Sequence, residues 1–516
     1  MFLRRHWPVL LIWGFGSLTW LLYTYPCVKD DCWFYMVIAR NLALTGHQTF
    51  SGIFPTNGAH PLWLYTLAGY SYLVALIDPS LLSELSYAVP LSAFLVLCGT
   101  WNLARIADKF ELPSLVVAGL PLAFVLHWNM LYSEGHMLFF ALVLLLRATF
   151  ELPLDKPRGA LLAGLLLGFV FLARLDSIFF VIAYATWYVW RVRQAKLILY
   201  VAVAASVVAV PYLIANYVFF GSAMPVSGWM KSSFPTVHIR GFGTWGFIAS
   251  LFGYSIFWGI VPMVFSLLVL ATIRSIPPAL KQVAWVLLAG TVGQFFYIAL
   301  FTLEATAWSW YYIIPMVLGA ICAGIAWRNL ILVVPQRMGS IAQARWAGNA
   351  VSTLVVALFV AATVVLRWGH GTEINPTVVR IIDFLQEHDI HHTGILVSDR
   401  PGYMAFASDN YVVAADMLTL NRPLYESMVA SPDALKFLMN YCRDRHRPLE
   451  YVVYVGRTYM MPSDDFRSLV LNDPRQRPNL KPIGRIGFPA PPLRICIDGV
   501  NVPFVVWHLP GGIAEE

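Results

Sequence analysis

Charge is what this chain has least of. Lys, Arg, Asp and Glu make up 12% of its 516 residues, against about 25% in a soluble globular domain, and the shortfall excludes a protein that is water-soluble throughout. Cysteine is sparse as well. The six cysteines (Cys27, Cys32, Cys98, Cys322, Cys442 and Cys496) show no metal-type spacing, which argues against a zinc site. Cys27 with Cys32 and Cys442 with Cys496 stay open as pairs in an exported segment. No internal repeat or low-complexity tract is evident, and the tail carries no basic stripe with interleaved aromatics, so nucleic acid is not an expected partner.

Apolar residues fill the space that charge leaves. They are 59% of the chain, and the mean hydropathy is +0.66, which describes a polytopic membrane protein. Nineteen tryptophans suit rings anchored at several membrane interfaces. Runs of spanning or near-spanning length lie at 7–25, 61–77, 86–104, 113–128, 137–150 and 159–172. Further runs follow at 178–190, 197–220, 245–271, 283–303, 309–327 and 346–366. The first follows Arg4 and Arg5 as a signal peptide would, but it lacks a clear small-residue cleavage site and is read as a retained span.

Loop charge orients these runs. Lys and Arg cluster at Arg4/Arg5, Arg105/Lys109, Arg147/Lys156/Arg158, Arg191/Arg193/Lys196, Arg274/Lys281 and Arg328/Arg337/Arg345. The alternate connections carry only Lys29, Arg40, Arg174, Lys231 and Arg240. The positive-inside rule makes the clusters cytosolic. Three runs then separate Arg5 from Arg105, an odd number, so one of them does not cross. The run at 61–77 is the exception: it is short, starts with Pro after a turn containing Pro55, Asn57 and Gly58, and carries Tyr65, Tyr70, Ser71 and Tyr72. About eleven spans result, with a cytosolic N-terminus, a first outer loop at 26–85 and the tail outside, in the inner (cytoplasmic) membrane.

From Arg367 the composition changes. Residues 1–367 form the membrane module, and 368–516 are expected to form a soluble extracytoplasmic α/β domain. Its pattern is a helix at 376–387, strands at 393–398 and 411–415, a helix at 432–443 and a strand at 450–455.

Five features fall on the outer side of this map. They are the pair Asp30 and Asp31 after the first span; "PTNGAHPLW", with Asn57 and His60; "YSEGH", with Glu134 and His136; "ARLDS", with Arg174 and Asp176; and the loop 221–243, with Lys231, His238 and Arg240. Near the tenth span "EATAWSWYY" adds Glu304, Trp308, Trp310, Tyr311 and Tyr312. Singly, each has a plainer reading. The acids are a solvated cap, Arg174 and Asp176 compensate one another, His60 caps its helix, and the aromatics form an interfacial belt. Together on one face, carboxylates early and cations late suit attack by a hydroxyl on a phosphate-activated centre. A carboxylate takes the hydroxyl proton, and cations stabilise the departing phosphate.

The stretch "DDCWFYMVIARNLALTGHQTFSGIFPTNGAHPLW" resembles the first outer loop of bacterial membrane glycosyltransferases of the GT-C fold, those similar to arabinofuranosyltransferases and protein mannosyltransferases. "SEGH", "ARLD", "PVSGWMK" and "WYY..P" (Trp310 to Pro315) are similar to further pieces of that family. The resemblance implies an inverting transfer from a polyprenyl-phosphate sugar to a glycan, glycolipid or protein acceptor, beside membrane lipid. It implies the first acid after span one as general base, here Asp30 with Asp31 beside it; Lys231, Arg174 and Arg240 at the donor phosphate; and His60, Asn57, Glu134, His136, Asp176, Trp310 and Tyr311 at the substrates. The resemblance implies a metal-optional transfer, so it assigns no definite cofactor and leaves a divalent cation open. In the tail, "AADMLTLN" departs from the family's pattern at Asp416. The rival reading is a transporter or lipid-linked sugar flippase, whose charges line a pathway.

Overall fold

A computed structural model describes residues 2–22, 30–127, 132–232, 234–237, 259–301, 309–338, 354, 358, 376–397, 401–414, 419–432, 434–455, 481–484, 496–497, 500–501 and 504–509. The protein is mostly helical. In the first part of the chain the helices are α1 (Phe2–Leu22), α2 (Asp30–Thr45), α3 (Pro61–Ile77), α4 (Val89–Lys109), α5 (Leu120–His127), α6 (Glu134–Glu151), α7 (Pro157–Ala173) and α8 (Ile178–Val192). They continue as α9 (Ala195–Phe220), α10 (Val226–Lys231), α11 (Val261–Thr272), α12 (Pro278–Phe301) and α13 (Ile313–Met338). Among the described residues four segments are long and apolar enough to cross a membrane: Ser86–Lys109, Ala195–Phe220, Pro278–Ile298 and Ile313–Leu330. The apolar runs at 245–258 and 346–366 lie largely or wholly outside the described residues.

Burial follows chain composition in a way suited to lipid. In α9 the side chains of Val203, Val207, Ile214, Val218 and Phe219 are exposed although all are apolar, the inverse of a soluble helix. The opposite face of α9 lies against α7. Two glycines one helical turn apart make that approach possible. A Cβ on Gly164 would sit 2.4 Å from the Val201 carbonyl oxygen, and one on Gly168 would sit 2.8 Å from the Val208 Cβ. Small residues four apart let two membrane helices touch backbone to backbone.

The helix α3 begins and ends where the sequence places it. Pro61 occupies its first position after His60 in an extended conformation, the preferred place for a proline in a helix. Its inner face, with Trp63, Leu64, Leu67 and Ser71, is buried, whereas Tyr65, Tyr72, Leu73, Leu76 and Ile77 are exposed.

After residue 375 helices and strands alternate: α14 (Pro376–Glu387), β1 (Gly394–Val397), α15 (Pro401–Ala407), β2 (Tyr411–Ala414), α16 (Arg422–Ala430), α17 (Ala434–Arg443) and β3 (Leu449–Val455), then β4 (Lys481–Gly484), β5 (Cys496–Ile497), β6 (Val500–Asn501) and β7 (Phe504–His508). The main sheet has the order β2-β1-β3-β7-β4. Its first three strands are parallel, and β7 runs antiparallel to both β3 and β4. Burial on both faces explains why "GILV" is apolar without alternation. Cys442 is a free thiol buried in this unit, so it is not paired with Cys496; burial pushes its thiol up to about 12.

This unit grips α2 and the loop between α2 and α3. Arg40 of α2 donates to the carbonyls of Phe406 and Ala405 at 3.1 Å each, at the C-terminal end of α15, where unpaired carbonyls attract a cation. Trp33 packs on Tyr403 and Phe406 with ring centroids 4.9 and 4.8 Å apart. Asn421 caps α16 by accepting from the Leu424 amide at 3.1 Å, and its own amide donates to the Pro55 carbonyl at 3.0 Å. Ile53 and Phe54 enter the same apolar cluster as Leu396, Val413 and Leu438.

Candidate functional site

The site is built around one buried guanidinium. The helix α7 stops at Arg174, whose extended backbone hands over to a short 3-10 turn, Leu175–Ser177. Ser177 holds that turn by donating to the Val170 carbonyl at 2.9 Å. The break brings Asp176 round to face Arg174 in a forked pair, with Nε to Oδ1 at 2.9 Å and Nη2 to Oδ2 at 3.0 Å. The remaining terminal nitrogen, Nη1, donates to Oε1 of Glu134 at 2.7 Å, from the first turn of α6. Tyr311 lies across the guanidinium, 4.2 Å from Cζ to the ring centre. Gln294 of α12 completes the enclosure by donating to Asp176 at 2.8 Å and to the Tyr311 carbonyl at 3.3 Å.

Arg174 is only 2% exposed, so its charge is committed to the two carboxylates. Burial works against ionising either carboxyl, yet the Arg174 guanidinium outweighs it, and Glu134 and Asp176 both sit below the ordinary carboxylate range. Burial also works against the arginine, and Asp176 and Glu134 more than offset that, raising its pKa. The plainer reading of the Arg174–Asp176 pair, mutual compensation, is therefore present in the geometry. Glu134 joins it as a third member that the sequence does not pair with them.

A second layer connects this node to α2 and the turn before α3. The Tyr35 hydroxyl accepts from the His60 amide at 3.1 Å and is hydrogen-bonded to Glu134. The His60 ring nitrogen Nδ1 accepts from the Leu175 amide at 3.4 Å. Burial, reinforced by Arg174 and Lys231, lowers the His60 pKa against the opposing pull of Glu134 and Asp176, which leaves the ring neutral at pH 7. Trp63 donates to the Tyr132 carbonyl at 3.0 Å and meets His136 edge to face at 4.2 Å. His136 is thus packed under α3 on the first turn of α6.

Asn57 works as a joint. Its amide donates to Asn216 of α9 and to the Met224 carbonyl, both at 3.3 Å, and its oxygen accepts from the Val226 amide at 3.2 Å. Ser227 donates to the Gly58 carbonyl at 2.8 Å. These bonds fix α10 against the turn that precedes His60, and Lys231 is the last residue of α10. Trp229 of the same helix lies under Arg422, 4.7 Å away, and meets Tyr425 edge to face at 5.7 Å.

Asp30 and Asp31 open α2. Helical spacing sets position 31 one turn before Tyr35 on the same face, toward the His60 and Glu134 node, and sets position 30 in line with Phe34. The Asp30 and Trp310 side chains, and Arg240, His238, Glu304, Trp308 and Asp416 entirely, lie outside the described residues. Of the expected substrate and phosphate residues, the structure gathers His60, Glu134, Arg174, Asp176 and Tyr311 at one node. It holds Asn57 and Lys231 in the adjoining layer and keeps His136 behind Trp63.

Tyr35 and Gln294 are members that reading the sequence passes over. Gln294 was findable, as a polar residue within an apolar span. Tyr35 carries no such mark, since tyrosines abound here. A small apolar recess, no roomier than a single water needs, adjoins Gln294 and is lined by Met263, Phe295, Ile298 and Pro315 among others. Among the described residues no three of His, Cys, Asp and Glu come together as a metal cage. No family model matches the chain, and no curated protein is detectably similar to it.

Proposed function

We propose that this chain is an inverting membrane glycosyltransferase of the GT-C kind. It moves a sugar from a polyprenyl-phosphate donor to a cell-envelope acceptor on the outer face of the inner membrane. About eleven spans carry the site, with the N-terminus cytosolic and the α/β unit extracytoplasmic. The observation that supports this reading is convergence. Tyr35 of α2, the turn carrying Asn57 and His60, and the helix carrying Lys231 are linked to the buried Glu134–Arg174–Asp176 node, and Asp31 stands one helical turn before Tyr35. The likeness of the first outer loop to that of GT-C enzymes supports it independently.

In this reading the acceptor hydroxyl attacks the anomeric carbon while the Asp30/Asp31 pair takes its proton. The bond from the anomeric carbon to the phosphate oxygen breaks, and the polyprenyl phosphate leaves with the electron pair. Lys231 stabilises the charge gathering on that phosphate. Arg174, already neutralised, is a positioning residue: it holds Glu134, which orders Tyr35 and through it the His60 amide.

The test is transfer from polyprenyl-phosphate arabinose and polyprenyl-phosphate mannose by the protein in nanodiscs, with Asp30→Asn and Asp31→Asn as variants. At least one variant should lose about a hundredfold or more of the rate, the usual worth of a positioned base. Full activity in both discards the base assignment. Vectorial movement of a lipid-linked sugar without a new glycosidic product supports the transporter instead.

A further inference from the structure

At the end of α17 the chain reads "RDRHR", Arg443 to Arg447, and all five residues are exposed. Three guanidiniums stand against one carboxylate, Asp444. Among the described residues none of the three arginines is ion-paired. They are nonetheless held in place. Arg445 lies over the Tyr441 ring at 3.5 Å and donates to the Tyr441 carbonyl at 3.3 Å. Arg447 lies over the Tyr411 ring at 3.9 Å. Arg443 donates to the Asn440 side chain at 2.7 Å. An arginine stacked on a ring has already given up much of its side-chain freedom, so it binds an anion at lower entropic cost than a free surface lysine.

What lies beneath the two tyrosines gives the corner its direction. Tyr441 meets Phe54 edge to face at 6.3 Å, and the Tyr411 ring lies 3.5 Å from where a Cβ on Gly52 would be. Both rings therefore rest on the loop that runs on to Asn57 and His60. The same apolar cluster takes in Met230, the neighbour of Lys231. The cationic corner is mounted on the two segments that carry the candidate site.

We propose that the arginine corner of α17 is a binding surface for an anionic glycan, one bearing phosphate or carboxylate groups, and that this is the acceptor presented to the site. Its role as the acceptor surface rests on the glycosyltransferase reading; its binding of a polyanion does not. The run from Tyr441 to Arg447 is contiguous in the chain, and folding adds the Tyr411 ring to it, because Tyr411 and Arg447 are far apart in sequence and meet only in the tertiary structure.

The experiment measures binding to the full chain in nanodiscs of neutral lipid. The probes are poly(glycerol phosphate) and polygalacturonate, with dextran as the uncharged control and phosphatidylglycerol vesicles as a separate arm. The wild type should bind at least one soluble polyanion but not dextran. Affinity should fall as salt rises from about 50 to about 500 mM, since exposed charges are screened over shorter distances. The surface variant R443Q/R445Q/R447Q should bind about tenfold or more weakly, with unchanged thermal unfolding, while K436Q, a neighbouring exposed charge on α17, should bind as the wild type does. Undiminished binding by the triple variant overturns the proposal, as does equal binding of dextran. So does capture by anionic vesicles with neither polyanion bound, which would assign the corner to lipid headgroups. In the transfer assay the triple variant should raise KM for an anionic acceptor and leave kcat in place; an unchanged KM overturns the acceptor role. If the wild type transfers no sugar, the glycosyltransferase reading fails, and the polyanion and vesicle arms decide the binding surface on their own.

Discussion

Replacing Arg174 tests the centre of the site without reference to any substrate. In Arg174→Gln the guanidinium that answers both Glu134 and Asp176 is gone, while their burial remains. Removing one partner from a buried ion cluster costs about 3–5 kcal/mol, because the remaining charge is left uncompensated. Such a loss corresponds to a fall in Tm on the order of 10 °C. The pH dependence gives a sharper signature. In the wild type both carboxyls have folded pKa values below the unfolded ones, which are about 4.3 for Glu and 3.9 for Asp. Their contribution is complete at neutral pH and is lost as pH falls through the folded values. In the variant, burial and mutual repulsion lift the folded values above the unfolded ones. There the stability contributed by protonated carboxyls is present at low pH and lost as pH rises. The gap in Tm between wild type and variant should therefore be wide at pH 7 and narrow toward pH 4.5, by up to about 1.4 kcal/mol per pH unit for each group. Tryptophan fluorescence during thermal unfolding, in detergent from pH 4.5 to 8, reads this directly. A variant within about one degree of the wild type at pH 7, or a gap that does not close on acidification, would refute the account of the node.

Other outcomes follow from the same geometry. Gly221, at φ +69, caps α9 with its Cα hydrogens against Pro423. Gly221→Ala should destabilise by about 1–3 kcal/mol through its left-handed backbone and the contact with the Pro423 ring, and unchanged thermal unfolding would contradict this. Asn421→Ala removes both the α16 cap and the tie to Pro55, which should cost about 1–2 kcal/mol and speed proteolysis within 49–60; equal cleavage rates would show that the tie is idle. Lys231→Met should weaken binding of polyprenyl phosphate in nanodiscs, with a smaller effect for Lys231→Arg, and equal binding by all three proteins would remove Lys231 from the phosphate. A cysteine at Lys156 should be protected from impermeant thiol reagents added outside intact cells. Labelling there would overturn the eleven-span topology.

Much of the framework was legible because it rests on local patterns. The run at 61–77 is a helix with those same limits because Pro61 fixes its start. The tail's α14, β1, β2, α17 and β3 fall within a residue or two of where apolar periodicity puts them. The short helices α15 and α16 were not legible, since seven to nine residues leave too little periodicity to separate a helix from a loop. The charged residues of the site were visible one by one, because charge within so apolar a chain stands out. Their partners were not. The sequence pairs Arg174 with its neighbour Asp176, and it offers no way to know that Glu134, forty residues earlier, takes the third nitrogen.

The sequence by itself determined the apolar class, the alternation of basic loops, the change of composition near Arg367 and the charged residues that interrupt the apolar runs, since each depends on composition or short-range spacing. Tertiary structure alone decided which charges cancel, that Tyr35 and Gln294 belong to the node, and that α16 and α17 bear on the loop before His60. Those are contacts between residues tens to hundreds of positions apart. Only packing can select among the many partners that a buried arginine or a stacked tyrosine would accept.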